Sequence, residues 1–284
     1  MKYLITGANG FLAKELKEYF AGLESKVELI LTNRSTLDPT NFKQVENFFS
    51  NNQVDVVIHT AVKGGKRGRQ DTEQDYNDNI AMFDNLSSFS DRFQIMFNFG
   101  SGAEFDRGQQ IYRIKEKEIH QRRPKDFYGM SKNTITKKIL DIDKNIFNIR
   151  LFGCFGSYEE EQRLIKATHN KVLNGQNPVI HQDKEMDFIY SKDVGRLISH
   201  IINNHDSSNI PKDINACYNQ KYKISDIIQE YKNLTNGSFD VIIEEENGLG
   251  YSGCSARIDS LNIKTIGLRK GIKECLTKWS KYYS

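Results

Sequence analysis

The sequence predicts an α/β protein built on a doubly wound parallel sheet. Three observations lead to this prediction: short apolar runs alternate with amphipathic stretches, the runs are rich in valine and isoleucine, and glycines follow the first run. Strands that alternate with helices form right-handed βαβ units, and parallel strands buried on both faces favour Val and Ile. The length of 284 residues suggests about two domains.

The apolar pattern predicts each element of this sheet in turn. The first strand is Lys2–Ile5, and the stretch Phe11–Phe20 has apolar residues at helical spacing. The alternation then continues to about residue 152. The expected strands are 27–31, 54–59, 93–99 and 146–152, with helices at 42–49, 78–86 and 128–140.

Beyond about Gly156 the pattern changes. Glu159–Glu161 open a predicted helix that runs to Leu173, since acidic residues favour a helix N-terminus. A brief strand at Phe188–Tyr190 and a helix at Val194–Ile202 follow. We therefore expect one domain over residues 1–156 and a smaller C-terminal α/β region over residues 157–284, with a segment near 185–205 that returns to the first domain.

Composition and charge exclude several classes of protein. A net charge of +3 is too small to indicate a nucleic-acid or membrane partner. The four cysteines lie far apart without a CxxC pair, which argues against a zinc ribbon or a disulfide scaffold and favours the reducing cytoplasm. No apolar run approaches the roughly 20 residues of a transmembrane helix, and the apolar start is too short for a secretory signal. The histidines show no metal-ligand spacing, so we expect no metal.

A glycine motif follows the first strand. Residues 6–13 read Thr-Gly-Ala-Asn-Gly-Phe-Leu-Ala, and GxxGxxA is a variant of the dinucleotide fingerprint of Rossmann-type folds. Gly7 allows a tight turn, Gly10 allows the backbone to approach a pyrophosphate, and Ala13 keeps helix and sheet close. The helix N-terminus presents free N–H groups to the anion. We expect the cofactor to be bound by Thr6, Gly7, Asn9, Gly10, Phe11 and Leu12.

The end of the second strand indicates which dinucleotide is preferred. A carboxylate there selects NAD, whereas an arginine accommodates the 2′-phosphate of NADP. This chain has Asn33 and Arg34 at that point and no acidic residue before Asp38. We therefore expect Asn33 and Arg34 to contact the cofactor and NADP(H) to be preferred, with NAD(H) still possible.

A candidate catalytic set follows further along the chain. Tyr128 and Lys132 form a YxxxK motif, which places both side chains on one helix face. An ammonium beside a phenol lowers the pKa of the phenol and makes it a usable acid or base. The preceding strand ends at Ser101, whose hydroxyl can polarise a carbonyl beside the tyrosine. We expect Ser101, Tyr128 and Lys132 to be catalytic, and Tyr128 and Lys132 to contact the cofactor as well.

In this order the motifs resemble the extended short-chain dehydrogenase/reductase family, and within it the nucleotide-sugar enzymes such as GDP-L-fucose synthase and the reductases of 4-keto-6-deoxy sugars. The resemblance covers about residues 1–200. It implies the same catalytic set, a cofactor site that includes Ala61 and Asn79, and a nucleotide-diphosphate sugar as substrate; we also expect a homodimer. It is carried by residues 27–34, 48–49, 59–65, 79, 100–101, 128–132 and 188–190 with Asp193.

Departures from the family pattern narrow the expected activity. The dehydratases have an acidic pair after the catalytic Ser or Thr, whereas this chain has Gly102 and Ala103. GDP-L-fucose synthase has a cysteine where Ala103 stands and a histidine approximately at Arg163, so epimerisation at C3 and C5 is not expected. Reduction of a C4 keto group remains the leading hypothesis. The alternatives are an NAD-dependent 4-epimerase and a catalytically silent NADP(H)-binding regulator.

The family's diphosphate-binding arginine is also missing, since Met186 stands in its place. Arg163 and Lys166 lie about one helical turn apart and are the expected substitute clamp. A solvated basic helix face is the alternative interpretation. Lys63 begins a basic segment, 63–69, at the carboxyl end of the third strand, where it would steer an anionic substrate or form a solvated loop.

Overall fold

The computed structural model describes residues 1–23, 27–66, 68–205 and 210–281. The strands alternate with helices through the first half of the chain and become short after residue 151. They are β1 Lys2–Thr6, β2 Glu28–Leu31, β3 Val56–His59, β4 Ile95–Ser101, β5 Ile111–Ile114, β6 Ile146–Leu151, β7 Cys154–Phe155, β8 Val179–Ile180, β9 Ile189–Tyr190, β10 Asp213–Ala216, β11 Ile242–Ile243 and β12 Tyr251–Gly253.

The helices follow the strands and are mostly amphipathic. Within the described ranges, none is both long and apolar enough to cross a bilayer. They are α1 Phe11–Ala21, α2 Phe42–Asn51, α3 Glu73–Ser87, α4 Phe127–Asp141, α5 Leu164–Leu173, α6 Ser191–Asn204, α7 Ile224–Thr235, α8 Ala256–Ser260 and α9 Leu268–Ser280.

The main sheet is parallel and confirms the predicted α/β class. Its strand order is β2-β1-β3-β4-β6-β10 across the described residues. β1 pairs with β2 on one side and with β3 on the other, so the winding direction reverses at β1. Ligands of such sheets bind at the carboxyl ends of the strands, at this switch point.

Both faces of the sheet are covered by helices, which explains its apolar strands. One core packs α1 and α6 on the sheet through residues such as Leu16, Phe20 and Leu197. The other packs α2, α3 and α4 through Phe49, Phe83 and others. α6 comes from the region beyond residue 157 and packs beside α1, and β10, from the same region, forms the edge of the main sheet.

A separate apolar cluster forms the core of the C-terminal region. It joins α5, α7 and α9, with Trp279 1% exposed in its middle. Trp279 donates its indole N–H to the carbonyl of Ser157 at 2.8 Å. This bond ties the last described helix to the chain just after β7.

Most predicted elements agree with the structure to within a few residues, but the helix expected from Glu159 is wrong at its start. α5 begins at Leu164. Glu159 instead lies outside the helix, where its buried carboxylate accepts the N–H of Lys166 at 2.9 Å. The acidic residue therefore satisfies the first turn without belonging to it.

Candidate active site

The glycine motif forms the turn between β1 and α1. Gly7 has φ +66°, and a Cβ on this residue would lie 2.8 Å from the Cα of Ala61, so no larger residue fits. The N–H of Gly10 donates to the carbonyl of Gly7 at 2.9 Å and closes the turn. α1 begins at Phe11, and Gly10 has no side chain with which to cap it. The N–H groups of the first turn therefore remain available to an anion.

The other walls of this crevice come from the ends of β1 and β3. The buried Thr6 hydroxyl contacts His59 Nδ1 at 2.8 Å and accepts the N–H of Ala61 at 3.3 Å. Asn9 is exposed at the turn, whereas Leu12 packs on the apolar core of the α1 face. Thr6 and Ala61 thus fix the two strand ends to each other.

Arg34 lies in the turn after β2, beside this crevice. The N–H of Ala8 donates to the carbonyl of Thr32 at 2.8 Å and holds the end of β2 against the glycine turn. The Asn33 side chain accepts a backbone N–H two residues on, at 2.9 Å, and shapes the turn. The Arg34 side chain is 74% exposed and donates to Asp38 at 3.1 Å. The Arg34 end of this pair is open to solvent, and such a pair is worth about 1 kcal/mol or less, so the guanidinium is able to turn from Asp38 to a phosphate.

Asn79 is buried and makes three hydrogen bonds, to Lys63 and Ser131. Its Nδ2 donates to the Lys63 carbonyl and to Ser131 Oγ, both at 3.0 Å, and its Oδ1 accepts the N–H of Lys63 at 2.8 Å. These bonds hold the segment after β3 against α4. Its direct contact with a cofactor stays a prediction.

The structure brings the predicted catalytic residues together at the carboxyl end of β4. Ser101 ends that strand, and Tyr128 and Lys132 lie one turn apart in α4. The Lys132 ammonium is 5.9 Å from the centroid of the Tyr128 ring and donates to the carbonyl of Phe99 at 2.7 Å. A Cβ on Gly65 would lie 2.8 Å from the Tyr128 ring, so the segment after β3 lies against that ring.

Burial sets the protonation of these groups. It raises the pKa of Tyr128, which the Ser101 hydroxyl lowers in part. It lowers the pKa of Lys132 to about 8 and that of His59 to about 3. Loss of solvation is the larger effect, so the pKa of Tyr128 is raised overall, and a lowering of that pKa by Lys132 stays a prediction. Tyr128 is therefore protonated near neutral pH, as a proton donor must be.

A buried charge network that the sequence analysis did not assign lies under Ser101. Glu104 Oε1 accepts the N–H of Ser101 at 2.8 Å, and Oε2 is 2.7 Å from Arg150. Arg150 also pairs with Asp213 at 2.9 Å, and all three side chains are 1% exposed or less. One signal was present: an arginine within the apolar run of β6 requires a carboxylate at the same depth.

The structure separates the two cations of the expected diphosphate clamp. Arg163 caps α5, and its guanidinium carbon is 5.8 Å from the centroid of the Phe11 ring at the start of α1. The Lys166 ammonium is instead 4.3 Å from the centroid of the Trp279 ring. The expected common helix face is therefore wrong, and of the pair it is Arg163 that lies beside the glycine turn.

The basic segment after β3 is partly committed to acidic partners. Lys63 is 3.7 Å from Asp78, and one Arg69 nitrogen donates to both oxygens of Asp75 at 2.8 Å. Arg67 lies outside the described residues. Lys63 remains a predicted substrate contact, while Arg69 is held at the start of α3.

One aromatic side chain of the C-terminal region, Tyr251, also reaches the site. The Tyr251 hydroxyl is 3.5 Å from Ser101 Oγ, although the two residues are 150 positions apart. Tyr251 opens β12, which pairs with β5. No local pattern marks either strand, so only the fold brings Tyr251 to Ser101.

A parallel sheet with a glycine turn after its first strand is the architecture of nicotinamide-dependent enzymes of the Rossmann type. The chain belongs to the NAD dependent epimerase/dehydratase family, whose model matches residues 3–217. This match confirms the resemblance to the extended short-chain dehydrogenases/reductases. A comparison with curated protein sequences gives no match.

Solved structures share this fold at low sequence identity. GDP-mannoheptose C4 reductase from Campylobacter jejuni, with NADP bound, is 21% identical, with 98% of each chain covered and a TM-score of 0.83. A GDP-L-fucose synthetase from Naegleria fowleri bound to NADP is 17% identical, covers 99% and 93% of the two chains, and has a TM-score of 0.80. A dTDP-4-dehydrorhamnose reductase from Clostridium acetobutylicum is 20% identical, covers 99% and 100%, and has a TM-score of 0.82.

We predict that Arg150→Leu lowers the free energy of unfolding by about 3–5 kcal/mol, because it leaves two buried carboxylates without their cation. Urea unfolding followed by circular dichroism measures this loss. Lys138→Met is the matched control, since the pair of Lys138 with Asp84 is 38% and 45% exposed and is worth at most about 1 kcal/mol. Equal losses in the two variants would contradict the assigned role of Arg150.

Proposed function

We propose that this chain is an NADPH-dependent reductase of the C4 keto group of a nucleotide-linked 4-keto-6-deoxy sugar. The observation that carries the proposal is that Ser101 ends β4, at the same carboxyl edge of the sheet as the glycine turn after β1, and that Tyr128 and Lys132 lie one turn apart in α4. The similar structures support it, since they include a C4 reductase and a 4-dehydrorhamnose reductase. Two of those structures have NADP bound, which agrees with the preference for NADP(H) that Arg34 predicts for this chain.

In this proposal the residues hold the carbonyl and deliver a proton. NADPH, when bound, supplies the hydride to C4. Ser101 donates a hydrogen bond to the C4 oxygen, and Tyr128 transfers its proton to that oxygen as negative charge develops there. Lys132, charged below its pKa of about 8, stabilises the phenolate that remains.

The surroundings of Ser101 favour reduction over water elimination. Gly102 has no room for a side chain, because a Cβ there would meet the rings of Phe152 and Tyr251. Ala103 is fully buried, and the carboxylate of Glu104 is committed to Arg150. The acidic pair of the dehydratases therefore has no equivalent at these positions, whereas reduction needs none.

The proposed function is tested with purified protein and a panel of nucleotide-linked 4-keto sugars. The panel contains GDP- and dTDP-linked 6-deoxyhexoses, together with a GDP-linked heptose because of the heptose reductase among the similar structures. We expect loss of NADPH absorbance with at least one 6-deoxyhexose. Interconversion of the C4-hydroxy sugar epimers in the presence of NAD⁺, with no net change of the cofactor, would instead establish the epimerase, and binding of NADPH with no turnover of any sugar would favour the silent regulator.

Tyr128→Phe should lower kcat by about two to four orders of magnitude, the usual size of lost general acid catalysis. The phenylalanine keeps the ring against Gly65, so NADPH affinity serves as the internal control and should stay within about twofold, well below the catalytic loss. Steady-state kinetics and cofactor fluorescence measure the two quantities. A decrease of less than about threefold would remove Tyr128 from the proton transfer.

Arg34→Ala should weaken NADPH binding by about tenfold to a hundredfold, because it removes a charge-assisted hydrogen bond to the 2′-phosphate. NADH lacks that phosphate, so its affinity is the matched control and should hardly change. Cofactor titrations by fluorescence measure both. Equal weakening of the two cofactors would show that Arg34 does not select between them.

Arg163→Ala should raise KM for the nucleotide sugar about tenfold with a smaller effect on kcat, as expected for a charge-assisted contact made equally in ground and transition states. Lys166→Ala is the control, since that ammonium lies over Trp279 instead, and KM should not change. If KM rises for NADPH and not for the sugar, Arg163 binds the cofactor and the sugar diphosphate is held elsewhere.

A further inference from the structure

The tail of the chain places a fixed phenol next to Ser101. The Tyr251 ring packs edge-on against Phe152, with centroids 5.5 Å apart, and lies over Gly102. β12 is anchored on both sides: Tyr251 donates its N–H to Glu185 O, and the Ser252 hydroxyl accepts the N–H of Arg113 at 3.0 Å. The phenol oxygen is thereby held 3.5 Å from Ser101 Oγ.

The hydrogen bonds of Ser101 indicate what this phenol does. A serine hydroxyl has one proton and two lone pairs. The N–H of Ala103 donates to Ser101 Oγ at 3.2 Å and occupies one lone pair. Burial raises the pKa of Tyr251 above that of an exposed phenol. Tyr251 therefore stays protonated and is able to donate a hydrogen bond. A bond from Tyr251 to the second lone pair leaves the Ser101 proton for other acceptors.

Those acceptors are the Tyr128 phenol and the carbonyl of a substrate. The Ser101 hydroxyl lowers the pKa of Tyr128 as well as that of Tyr251, so it lies within reach of both phenols. We propose that Tyr251 is a positioning residue that donates to Ser101 Oγ and so directs the Ser101 proton toward Tyr128 and the reacting carbonyl oxygen. The distance of 3.5 Å is longer than an ordinary O–H···O bond, and contacts of this kind shorten in the substrate complex.

This inference rests on the proposed reductase function for its kinetic consequence. Tyr251→Phe keeps the ring contacts with Phe152 and Gly102 and removes only the hydroxyl. It should lower kcat about tenfold, with KM for NADPH unchanged. In a Ser101→Ala background the same change should have less than about a twofold effect, because coupled residues are non-additive. Tyr112→Phe is the matched control: Tyr112 lies in β5 but is 55% exposed, and kcat should not change.

A second readout does not depend on turnover. In protein labelled with ¹³C at the tyrosine ζ carbons, the Tyr128 signal is assigned with Tyr128→Phe and reports the hydrogen bonding of that phenol. Tyr251→Phe should move this signal in the wild-type background and leave it in place in Ser101→Ala. A shift that is equal in both backgrounds, or no shift in either, would overturn the proposal even if no sugar of the panel is reduced.

The two measurements also separate other roles of Tyr251. An equal tenfold loss of kcat in both backgrounds would show that Tyr251 contacts the substrate directly and does not act through Ser101. That result contradicts the proposal but leaves the reductase function standing. Absence of NADPH oxidation by the wild-type protein contradicts the reductase function alone, and the NMR result then decides the role of Tyr251.

Discussion

The buried ion pair between Arg150 and Glu104 is the interaction on which the candidate site depends. Arg150 lies within β6 with no exposed surface, and a guanidinium at this depth is tolerated only with carboxylates around it. Glu104 meets that need from the turn after β4, and Asp213 meets it from β10. The contacts that neutralise Arg150 therefore also hold the Ser101 backbone and attach the edge strand to the sheet.

Features with local signals were predictable from the sequence. The alternation of strands and helices is recognised from the apolar periodicity within windows of about 11–18 residues. The glycine motif that starts at Gly7 and the motif of Tyr128 and Lys132 are each short, continuous segments of sequence, so both are recognisable without the fold. The features that were missed are not local. β10 pairs with β6 from more than 60 residues away, where Asp213 meets Arg150 and Asn148, and Tyr251 reaches Ser101 only through the pairing of β12 with β5.

Burial also explains how an ordinary set of side chains would perform reduction. A proton donor has to remain protonated until charge develops on the substrate, and desolvation raises the pKa of Tyr128 in that direction. Desolvation also lowers the pKa of Lys132, but only to about 8. Because this value is still above neutral pH, the lysine keeps its charge there. Ser101 supplies a hydroxyl at the end of β4, where Glu104 accepts its backbone N–H and the Tyr251 hydroxyl lies 3.5 Å from its Oγ.

The central claim, reduction at C4 of a nucleotide-linked sugar, is tested most directly by isotope transfer. The protein is incubated with a 4-keto sugar and NADPH that carries deuterium at the transferred position of the nicotinamide. The account predicts one deuterium at C4 of the sugar for each NADPH oxidised, as measured by mass spectrometry and proton NMR of the product. A product without deuterium at C4, or deuterium at another carbon, would contradict it.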